Sequence, residues 1–362
     1  MASASSPPQP QPLLPPTFRA WQSTHPTSPF SASLSLHPAL PTPSPSSLPP
    51  SHLLIRILSA AINPVDHKLA SLGPFSRLAF YRSGPYAPGI DFCGRVVAAS
   101  AASAAAAPFP PDTLVFGTLP PQPRPPFGTL GDYAIASAAH CVRVPAGVPV
   151  DAAAGVGIAG LSALQALEQG GTRAGDRVLV LGASGGVGTW AVQVAKRGLG
   201  AGLVVGTCSA GNEELVRGLG ADEVVDYRRG DVVEEFVGRG WLFDVVVDCV
   251  GDPRARVYER AGAFLREGGV YVQVGAEVSV RGLRSVVERA VWPRILGGGE
   301  RAWRFLMGTV EAEGLRRLGE WMSEGKVRAV VEETFEFEDV PKAFEKLEKG
   351  RARGKIVVHV GK

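Results

Sequence analysis

The stretch RVLVLGASGGVGTWAVQVAKRGLGA, residues 177–201, decides the fold that this chain can adopt. Val178 to Leu181 form an apolar run that predicts a fully buried parallel strand. Gly185, Gly186 and Gly188 follow, and they let the backbone turn sharply and approach a ligand without a Cβ in the way. Apolar residues at helical spacing come next, so the predicted helix points its free N–H groups and its positive dipole end at the turn. This order is what the pyrophosphate of a dinucleotide requires.

The glycine turn departs at one position from the G-x-G-x-x-G pattern of dinucleotide sites, because Ala183 stands where the first glycine is usual. A glycine-rich turn between a strand and a helix also occurs merely to pack the helix closely, and the turn alone leaves that alternative open. The residues of the turn that we predict to contact the cofactor are Ala183, Ser184, Gly185, Gly186, Val187 and Gly188.

The end of the next predicted strand, Leu203 to Thr207, distinguishes the two nicotinamide dinucleotides. An NAD site places an Asp or Glu against the ribose 2′-hydroxyl about 20 residues past the glycines. No acid occurs here before Glu213. Cys208 and Ser209 are small and leave room for a 2′-phosphate, and Tyr227, after the following strand, offers a phenolic donor. We therefore predict NADPH as the cofactor.

Length and composition exclude several classes of protein. The 362 residues favour two domains, and 45% hydrophobic residues are enough for two cores. The formal net charge of +3 comes from interleaved basic and acidic residues, which argues against nucleic-acid binding. No apolar run has the length and purity of a membrane span. The four cysteines, Cys93, Cys141, Cys208 and Cys249, lie far apart without a C-x-x-C pair, which argues against a disulfide framework and a structural zinc lobe.

The first 16 residues are rich in Ser, Pro and Gln and carry no charged side chain, which predicts a disordered tail. They carry no basic segment followed by an apolar core, so a secretory signal is not expected. We expect a cytoplasmic protein. The lack of Arg before Arg19 weakens the case for a mitochondrial presequence without excluding one.

The order of predicted elements places one domain inside another. From Arg177 onward apolar strands alternate with helices, which is typical of a doubly wound parallel sheet. After the two strands named above, further strands are predicted from Glu223 to Val225, Asp244 to Asp248 and Val270 to Val274. Short strands with Pro and Gly punctuation precede this region and return near the end, from Ala329 to Phe337 and from Lys355 to Val360. We predict a nucleotide-binding domain over residues 151–324 inserted in a β-rich domain of residues 17–150 and 325–362. Residues 280–308 are expected to be helical and to lie near the substrate cleft or a subunit contact. Two short edge strands are expected before residue 50, from Thr17 to Gln22 and from Ala32 to Leu36.

The chain resembles the medium-chain dehydrogenase/reductase superfamily, and specifically its zinc-free quinone oxidoreductase branch, which is zeta-crystallin-like and includes enoyl reductases. The matching segments cover the chain from about residue 17 to its end. In family order they are NPVDHKL (63–69), PGIDFCG (88–94), GTLGDYA (128–134), AGLSALQAL (159–167), the glycine turn, LGADEVVDY (219–227), FDVVVDCVG (243–251), LREGGVYVQVG (265–275) and RARGKIVV (351–358). The resemblance implies an α/β fold in which a Rossmann domain is inserted in a GroES-like catalytic domain.

The resemblance also implies that this chain works without a catalytic metal. Zinc-dependent relatives carry a Cys in the segment that reads INPVD here, and a His-Glu pair where this chain has Ile90 and Asp91. Asn63 and Ile90 replace two of those ligands, which removes support for a Lewis-acid alcohol dehydrogenase mechanism.

Five residues are candidates for catalysis. In the resemblance the Asn of NPVD lines the nicotinamide pocket, so that role comes to Asn63, with Asp66 and Lys68 as neighbours. Asn-Pro is also a turn former, Asp66 can cap the following helix and Lys68 can be solvated, and these alternatives stay open. Tyr86, like Tyr81, is a candidate proton donor to the substrate oxygen, although tyrosines in proline-flanked loops often only pack.

Further cofactor contacts come from strand ends and from matched motifs. Ser162 takes the place of a family Thr whose hydroxyl faces the nicotinamide end. Its alternative is a helix-terminal Ser that satisfies backbone groups. Lys355 matches a loop that approaches the nicotinamide end, and solvent exposure is the alternative. Gly211 stands where relatives often carry a basic residue for the 2′-phosphate, which is a departure from the family. The strand ends contribute Cys249, Val250, Gly251, Val274 and Gly275.

These residues predict an NADPH-dependent, zinc-independent oxidoreductase that transfers hydride to a quinone or to the C=C bond of an α,β-unsaturated carbonyl. A nucleotide-binding structural or regulatory protein with the same fold and little turnover is the alternative. The expected partners are a small-molecule substrate and a second copy of the chain, because family members are often dimers, and neither a nucleic acid nor a membrane is expected.

Overall fold

The computed structural model describes residues 14–25, 28–68, 85–100, 108–120, 128–252, 254–275, 280–291 and 301–361. The strands in these ranges are β1 (Thr17–Gln22), β2 (Ser35–Pro41), β3 (His52–Ile62), β4 (Asp91–Ala99), β5 (Leu114–Thr118), β6 (Tyr133–Ser137), β7 (Cys141–Arg143), β8 (Arg177–Leu181), β9 (Leu203–Cys208), β10 (Glu223–Asp226), β11 (Phe243–Asp248), β12 (Leu265–Gln273), β13 (Ala302–Phe305), β14 (Val331–Glu336) and β15 (Lys355–His359). The α-helices are α1 (Pro64–Lys68), α2 (Val150–Ala154), α3 (Gly157–Gln169), α4 (Gly186–Gln193), α5 (Glu213–Gly218), α6 (Val232–Gly238), α7 (Val280–Val291), α8 (Ala312–Ser323) and α9 (Val340–Glu348).

Strands β8 to β13 form a six-stranded sheet in the order β10-β9-β8-β11-β12-β13. Every neighbouring pair in it is parallel. The order reverses between β8 and β11, which is the doubly wound arrangement that opens a crevice at the carboxyl ends of the strands. The predicted parallel sheet is therefore confirmed.

The prediction for residues 280–308 is only partly right. Helix α7 is present, but residues 302–305 are strand β13, which pairs in parallel with β12 and carries Trp303. This edge strand is four residues long and half exposed, so it lacks the continuous apolar run by which a buried strand is found in a sequence. Trp292 lies outside the described residues.

A second sheet of seven strands has the order β14-β15-β3-β4-β5-β7, with β6 paired to β3. Its strands come from both ends of the chain, because β15 lies between β14 and β3. The Rossmann part is thus inserted in a β-rich, GroES-like part. Residue boundaries between the two parts stay a prediction.

Strand β1 coincides with the predicted Thr17 to Gln22 and pairs with β2 in a two-stranded sheet. The second predicted strand, Ala32 to Leu36, is misplaced. Residues Phe30–Ser33 form a 3₁₀ turn, and the strand runs over Ser35–Pro41. Its two prolines, Pro38 and Pro41, fit an edge strand, where a missing N–H costs no ladder bond. Of the predicted tail, residues 1–13 lie outside the described ranges.

The two sheets share one apolar core. The largest buried cluster contains Val180 and Val247 of the parallel sheet together with Phe116 and Val357 of the other sheet, and helix α3 contributes Leu161, Leu164 and Leu167. This shared core sets the carboxyl edge of the parallel sheet against the β-rich part. Within the described ranges, no helix is both long and apolar enough to cross a membrane.

Candidate active site

The glycine turn requires glycine at two positions, Gly182 and Gly188. Gly182 follows β8 with a φ of +75°, a conformation that L side chains rarely adopt. Its N–H donates to Thr207 Oγ1 at the end of β9, with an N···O distance of 3.1 Å. A Cβ on Gly188 would lie 2.1 Å from the Gly182 carbonyl oxygen, so the first turn of α4 packs directly on the end of β8.

The N-terminus of α4 is available to an anion. Gly185 is the N-cap residue and makes no side-chain capping hydrogen bond. A Cβ on Gly186 would meet Gly354 O at 3.4 Å and Lys355 Cδ at 3.6 Å, so this end of the helix faces the segment that begins β15. Gly354 N donates a hydrogen bond of 3.0 Å to Ser184 O, which holds this segment against the glycine turn. Free N–H groups at a helix start fit a pyrophosphate.

The carboxyl ends of β11 and β12 close against each other beside this turn. Both Val250 N and Gly251 N donate to Asp248 Oδ1 at 2.9 Å, and a Cβ on Gly251 would lie 2.0 Å from Gly275 O. Val274 N continues the contact by donating to Asp248 O. Val250 is 54% exposed although it is apolar. An apolar side chain open to solvent at a strand end fits the flat face of a nucleotide base.

A polar group of side chains stands at the end of β9. Asn212 Nδ2 donates to Ser184 Oγ at 3.1 Å and to Ser209 Oγ at 3.3 Å, so it joins the glycine turn to the strand end. Asn212 Oδ1 is buried and has no hydrogen-bond partner among the residues that the structure describes. Tyr227 is exposed nearby on the next strand end. An unsatisfied acceptor among hydroxyl groups indicates a place where a further donor, such as a ribose hydroxyl, is accepted.

Cys208 and Gly211 lie beside this polar group, and the structure shows the surroundings of each. Cys208 is buried, and burial, followed by the charges of Asp226 and Glu213, raises the pKa of its thiol to about 11. It therefore shapes the strand end as a neutral thiol. Gly211 itself has no basic side chain, but a basic group from another part of the chain lies beside it. Arg353 Nη2 is 3.9 Å from the position that a Cβ on Gly211 would occupy.

The second half of the site is a buried polar cluster that we call the Asp91 cluster: Asn63, Asp91 and Lys355. Asp91 is fully buried, and its Oδ2 accepts from Asn63 Nδ2 at 2.8 Å and from Lys355 Nζ at 3.1 Å. Its Oδ1 accepts from Ile158 N at 2.8 Å in the first turn of α3. Lys355 Nζ also donates to Asn63 Oδ1. Asp91 thus joins β4, α3, β15 and the turn after β3.

Asp66 holds the Asn63 turn in place. Its Oδ2 accepts from Asn63 N at 2.6 Å, which is the reciprocal bond of a capped helix start, and its Oδ1 accepts from Gly89 N at 3.3 Å. Burial raises the pKa of the Asp66 carboxyl to about 7, and the Asp91 charge adds to the rise, while the two N–H groups and the Lys355 charge oppose it. The contacts favour the capping role of Asp66 over direct contact with a substrate.

Lys355 is 3% exposed and paired with Asp91. The alternative of a solvated surface lysine is therefore wrong. Because burial of an unpaired ammonium is costly, the ion pair explains why Lys can open this strand. The side chain lies between the glycine turn and Asn63, which is the nicotinamide end that the resemblance implies.

The other predicted site residues lie at different distances from this centre. Tyr86 is buried, its hydroxyl donates to Asp66 O at 2.6 Å, and its ring packs edge-on against Phe30. Proton donation by Tyr86 would require that its hydroxyl leave this carbonyl. Lys68 is exposed at the end of α1. Ser162 lies in the second turn of α3, past the helix terminus, with its Oγ 4.0 Å from the position of a Cβ on Gly308. Tyr81 lies outside the described residues.

Three residues of this site were not identified from the sequence. Asp91 was considered only as a replaced metal ligand, and Asn212 and Arg353 were not considered. The segment GIDFCG carries a signal for Asp91, because a carboxylate that opens an apolar strand needs a partner inside the protein. Asn212 and Arg353 contact residues that are distant in the sequence, Ser184 and Gly211, and residue spacing does not reveal such contacts.

The two positions that the sequence comparison aligned with zinc ligands hold side chains with other contacts. Across the described ranges, no group of three or more His, Cys, Asp or Glu side chains is placed to hold a metal ion. At the positions of the zinc ligands, Asn63 is engaged by Asp91 and Lys355, and Ile90 is a buried apolar residue.

A nicotinamide dinucleotide, by contrast, fits the residues present. Along the carboxyl edge of the parallel sheet, Asn212 Oδ1, which has no partner among the described residues, lies past β9, the open helix start at Gly185 and Gly186 lies past β8, and the exposed Val250 lies past β11. The Asp91 cluster lies at the end where Lys355 enters. These features span the contacts that phosphates, a base and ribose hydroxyls need.

Comparison with known proteins agrees with this geometry. Residues 219–358 match the family model described as zinc-binding dehydrogenase. The chain is 41% identical over 356 residues to the trans-enoyl reductase pgmF of Aspergillus terreus, which covers 96% of this chain and 97% of the relative. It is 33% identical to the 2-methylene-furan-3-one reductase of Solanum lycopersicum over 85% of this chain and 71% of that protein. The solved quinone oxidoreductase of Coxiella burnetii superposes with a TM-score of 0.77 at 27% identity, covering 95% and 99% of the two chains. This oxidoreductase fold and these relatives show that the chain belongs to the medium-chain dehydrogenase/reductase superfamily, alongside its enoyl reductases and quinone oxidoreductases.

Proposed function

We propose that this protein is an NADPH-dependent, zinc-independent reductase of the C=C bond of α,β-unsaturated carbonyl compounds, with quinones as a second class of acceptor. The observation that carries the proposal is the position of the Gly354–Lys355 segment. Gly354 N donates to Ser184 O of the glycine turn, and Lys355 Nζ donates within the Asp91 cluster, so this segment joins the cofactor turn to the buried polar cluster, and we place the substrate cleft beside it. The trans-enoyl reductase relative, which matches nearly the whole chain, supports the same reaction class.

The bound cofactor would supply a hydride to an electron-poor carbon. The overall reaction takes that hydride and one proton from solvent, and it yields the oxidised cofactor and a saturated carbonyl compound or a quinol. The protein's part is to orient the acceptor and to stabilise the oxygen that becomes negative when the hydride arrives. We place Asn63 and Lys355 at this end of the cleft, with Lys68, Tyr86 and Asp66 around it. The turn 183–188 and the strand ends lie at the other end.

Three features of the β9 edge support NADPH over NADH. No carboxylate stands at the end of the strand before Glu213, and the hydroxyls of Ser209 and Tyr227 offer donors. Arg353 reaches the position at which Gly211 lacks a basic side chain. A guanidinium beside hydroxyl donors suits a 2′-phosphate, because Arg forms charge-assisted bonds with phosphate oxygens.

Zinc independence rests on the same cluster. The positions of two zinc ligands hold Asn63 and Ile90, and a buried Lys–Asp ion pair lies directly beside Asn63. An ammonium there disfavours a second cation at the same place. We further propose the domain boundaries given above, a cytoplasmic location and a homodimer as the working form of the protein.

Transfer of deuterium from the cofactor tests the proposal. The protein is incubated with NADPH labelled with deuterium at either face of C4 and with a panel of enals and enones, and the products are analysed by mass spectrometry and NMR. We expect deuterium at the former alkene β-carbon from one of the two labelled cofactors. Quinone reduction is followed separately by absorbance.

Label at a carbinol carbon would contradict the proposal and indicate an alcohol dehydrogenase. NADPH binding without turnover of any acceptor would instead favour the nucleotide-binding structural protein. Treatment with a chelator, followed by metal analysis, is expected to leave the activity unchanged.

A further inference from the structure

Lys355 is the buried cation at the meeting point of the two sheets. Its aliphatic stem lies beside Gly186 at the start of α4, and its ammonium contacts Asn63 Oδ1 and Asp91 Oδ2 in the β-rich part. The side chain is 3% exposed, so its charge acts in surroundings that screen it weakly. A charge in such a place has a strong effect on any neighbouring oxygen.

Of the other candidate donors, Asn63 and Tyr86 are already engaged in hydrogen bonds and Lys68 lies at the surface. Asn63 Nδ2 uses its two N–H groups on Asp91 Oδ2 at 2.8 Å and on Ala61 O at 3.3 Å. Tyr86 Oη donates to Asp66 O at 2.6 Å. Lys68 is exposed to solvent. None of these three groups offers a buried, unspent N–H or O–H to a substrate.

Lys355 has one donor more than its contacts use. An ammonium carries three N–H groups. Within the part of the chain that the structure describes, the hydrogen bonds of Lys355 Nζ go to two acceptors, Asn63 Oδ1 and Asp91 Oδ2. The third N–H is therefore available, and Asp91 fixes the ammonium so that little reorganisation is needed to use it.

We propose that Lys355 is a catalytic residue that donates its third N–H to the carbonyl oxygen of the acceptor and stabilises that oxygen as it becomes an enolate. Hydride addition to the β-carbon moves the alkene π electrons towards the carbonyl, so negative charge collects on this oxygen, and a solvent proton later neutralises the enolate. A pre-oriented cation in a dry site is the kind of group that lowers the energy of such a charge. Asp91 is then a positioning residue that orients Lys355. This inference rests on the proposed reductase function.

A stable oxyanion tests the inference without turnover. We would titrate the complex of the protein with NADP⁺ using 4-nitrophenolate, whose absorbance reports binding of the anionic oxygen. Wild-type protein is expected to bind it, and Lys355→Met, which keeps the apolar stem, is expected to bind it roughly 10- to 100-fold more weakly, as loss of one charge-assisted hydrogen bond predicts. Lys349→Met at an exposed position is the matched control and should bind like wild type.

Turnover provides the second measurement. Lys355→Met should lower kcat for enone reduction by roughly 100-fold or more, the scale for loss of one oxyanion donor. Lys355→Arg should recover part of it. Because the single change leaves Asp91 unpaired, the double variant Asp91→Asn, Lys355→Met is measured in parallel, and thermal melting with circular dichroism establishes that each variant is folded.

The possible failures are distinguishable. Equal 4-nitrophenolate affinity of folded Lys355 variants and wild type, or no binding to wild type, would overturn the role of Lys355. A weaker affinity for NADPH with kcat unchanged would also overturn it and assign Lys355 to cofactor anchoring. If the oxyanion binds through Lys355 but no enone or quinone is reduced, the role of Lys355 stands and the proposed function fails.

Discussion

Asp91 accepts hydrogen bonds from three partners that belong to separate parts of the chain, Asn63, Ile158 and Lys355. Its carboxylate accepts from Ile158 N, 67 positions away, and pairs with Lys355, 264 positions away. Since it is fully buried, each partner that it loses would leave an uncompensated polar group. Asp91 therefore stabilises the junction of the two sheets as well as the site.

Replacement of this carboxylate should be costly. Asp91→Asn puts an amide N–H₂ against the Asn63 amide and the Lys355 ammonium, so we expect a loss of about 3–5 kcal/mol in the free energy of unfolding. Asp339→Asn, which breaks an exposed ion pair with Lys342, is the matched control and should change the free energy of unfolding much less, because solvent screens such a pair. Urea denaturation measures both. Similar losses for the two variants would mean that the buried pair contributes no more than a surface pair.

Arg353 should determine the preference for the phosphorylated cofactor. Because its guanidinium stands beside Gly211, we expect Arg353→Met to weaken NADPH binding roughly 10- to 100-fold, the worth of a charge-assisted hydrogen bond, and to leave NADH binding within about twofold. Arg351→Met, two residues earlier and also exposed, is the control. Fluorescence titration with both cofactors gives the ratio. A parallel loss for NADPH and NADH would remove Arg353 from the 2′-phosphate site.

At the scale of single residues, the sequence predicted those that sit in local motifs and missed those that act across distance. Asn63 and Lys355 were found because their motifs match family segments, and the structure brings them into contact. The burial and ion pair of Lys355 could not be predicted from the sequence, because its partners come from β4 and from the turn after β3, far away in the chain. The roles of all these residues in catalysis stay predictions.

The first turn of α4 offers a comparison between two glycines of one element. A Cβ on Gly186 would have ordinary contacts, the nearest at 3.4 Å, whereas one on Gly188 would lie 2.1 Å from the Gly182 carbonyl oxygen. We expect Gly186→Ala to keep the melting temperature and to weaken cofactor binding, because its methyl group would intrude on the phosphates. Gly188→Ala should lower both.

Differential scanning fluorimetry with and without NADPH separates the two effects. The Gly186→Ala variant should lose the thermal shift produced by cofactor while its unliganded transition stays in place. If NADPH shifted it as much as it shifts wild type, the start of α4 would not be the phosphate site.

At the scale of elements, strands β8 to β11 were predicted nearly to the residue because buried parallel strands are continuous apolar runs. Strand β12 begins earlier than predicted, since its first half contains Glu267, Gly268 and Gly269 and has little apolar signal. Strand β13 was not predicted for the same reason. The sequence thus reveals the centre of the sheet better than its edge.

For the whole molecule, His359 connects the last two strands of the β-rich part, β14 and β15, to the helix that leads into the Rossmann part. Its Nε2 lies 2.9 Å from Asp151 Oδ2 in α2, and its Nδ1 lies 3.4 Å from Glu336 Oε1 in β14. The hydrogen bond to Asp151 and the charges of both acids raise the pKa of His359 above its usual 6.5. A raised folded-state pKa of a histidine contributes stability that is present below the unfolded value and is lost as the pH rises through the folded value.

We therefore expect the stability of the wild-type protein to fall as the pH is raised from about 6 to about 9 in part because His359 loses its proton. His359→Gln should flatten this fall, and His25→Gln at an exposed position should not. Urea denaturation at the two pH values measures the difference. An unchanged slope for His359→Gln would show that the histidine does not couple to folding.

The position of β15 has a consequence for how the protein is made. This strand fills the slot between β14 and β3, and its Lys355 meets Asn63 at a separation of 292 positions. During translation the glycine turn and most of both sheets leave the ribosome before β15 is synthesised. Until then the edge of β3 that pairs with β15 is unpaired and can pair with other chains. The nascent protein therefore completes its central sheet and its active-site cluster in one late event.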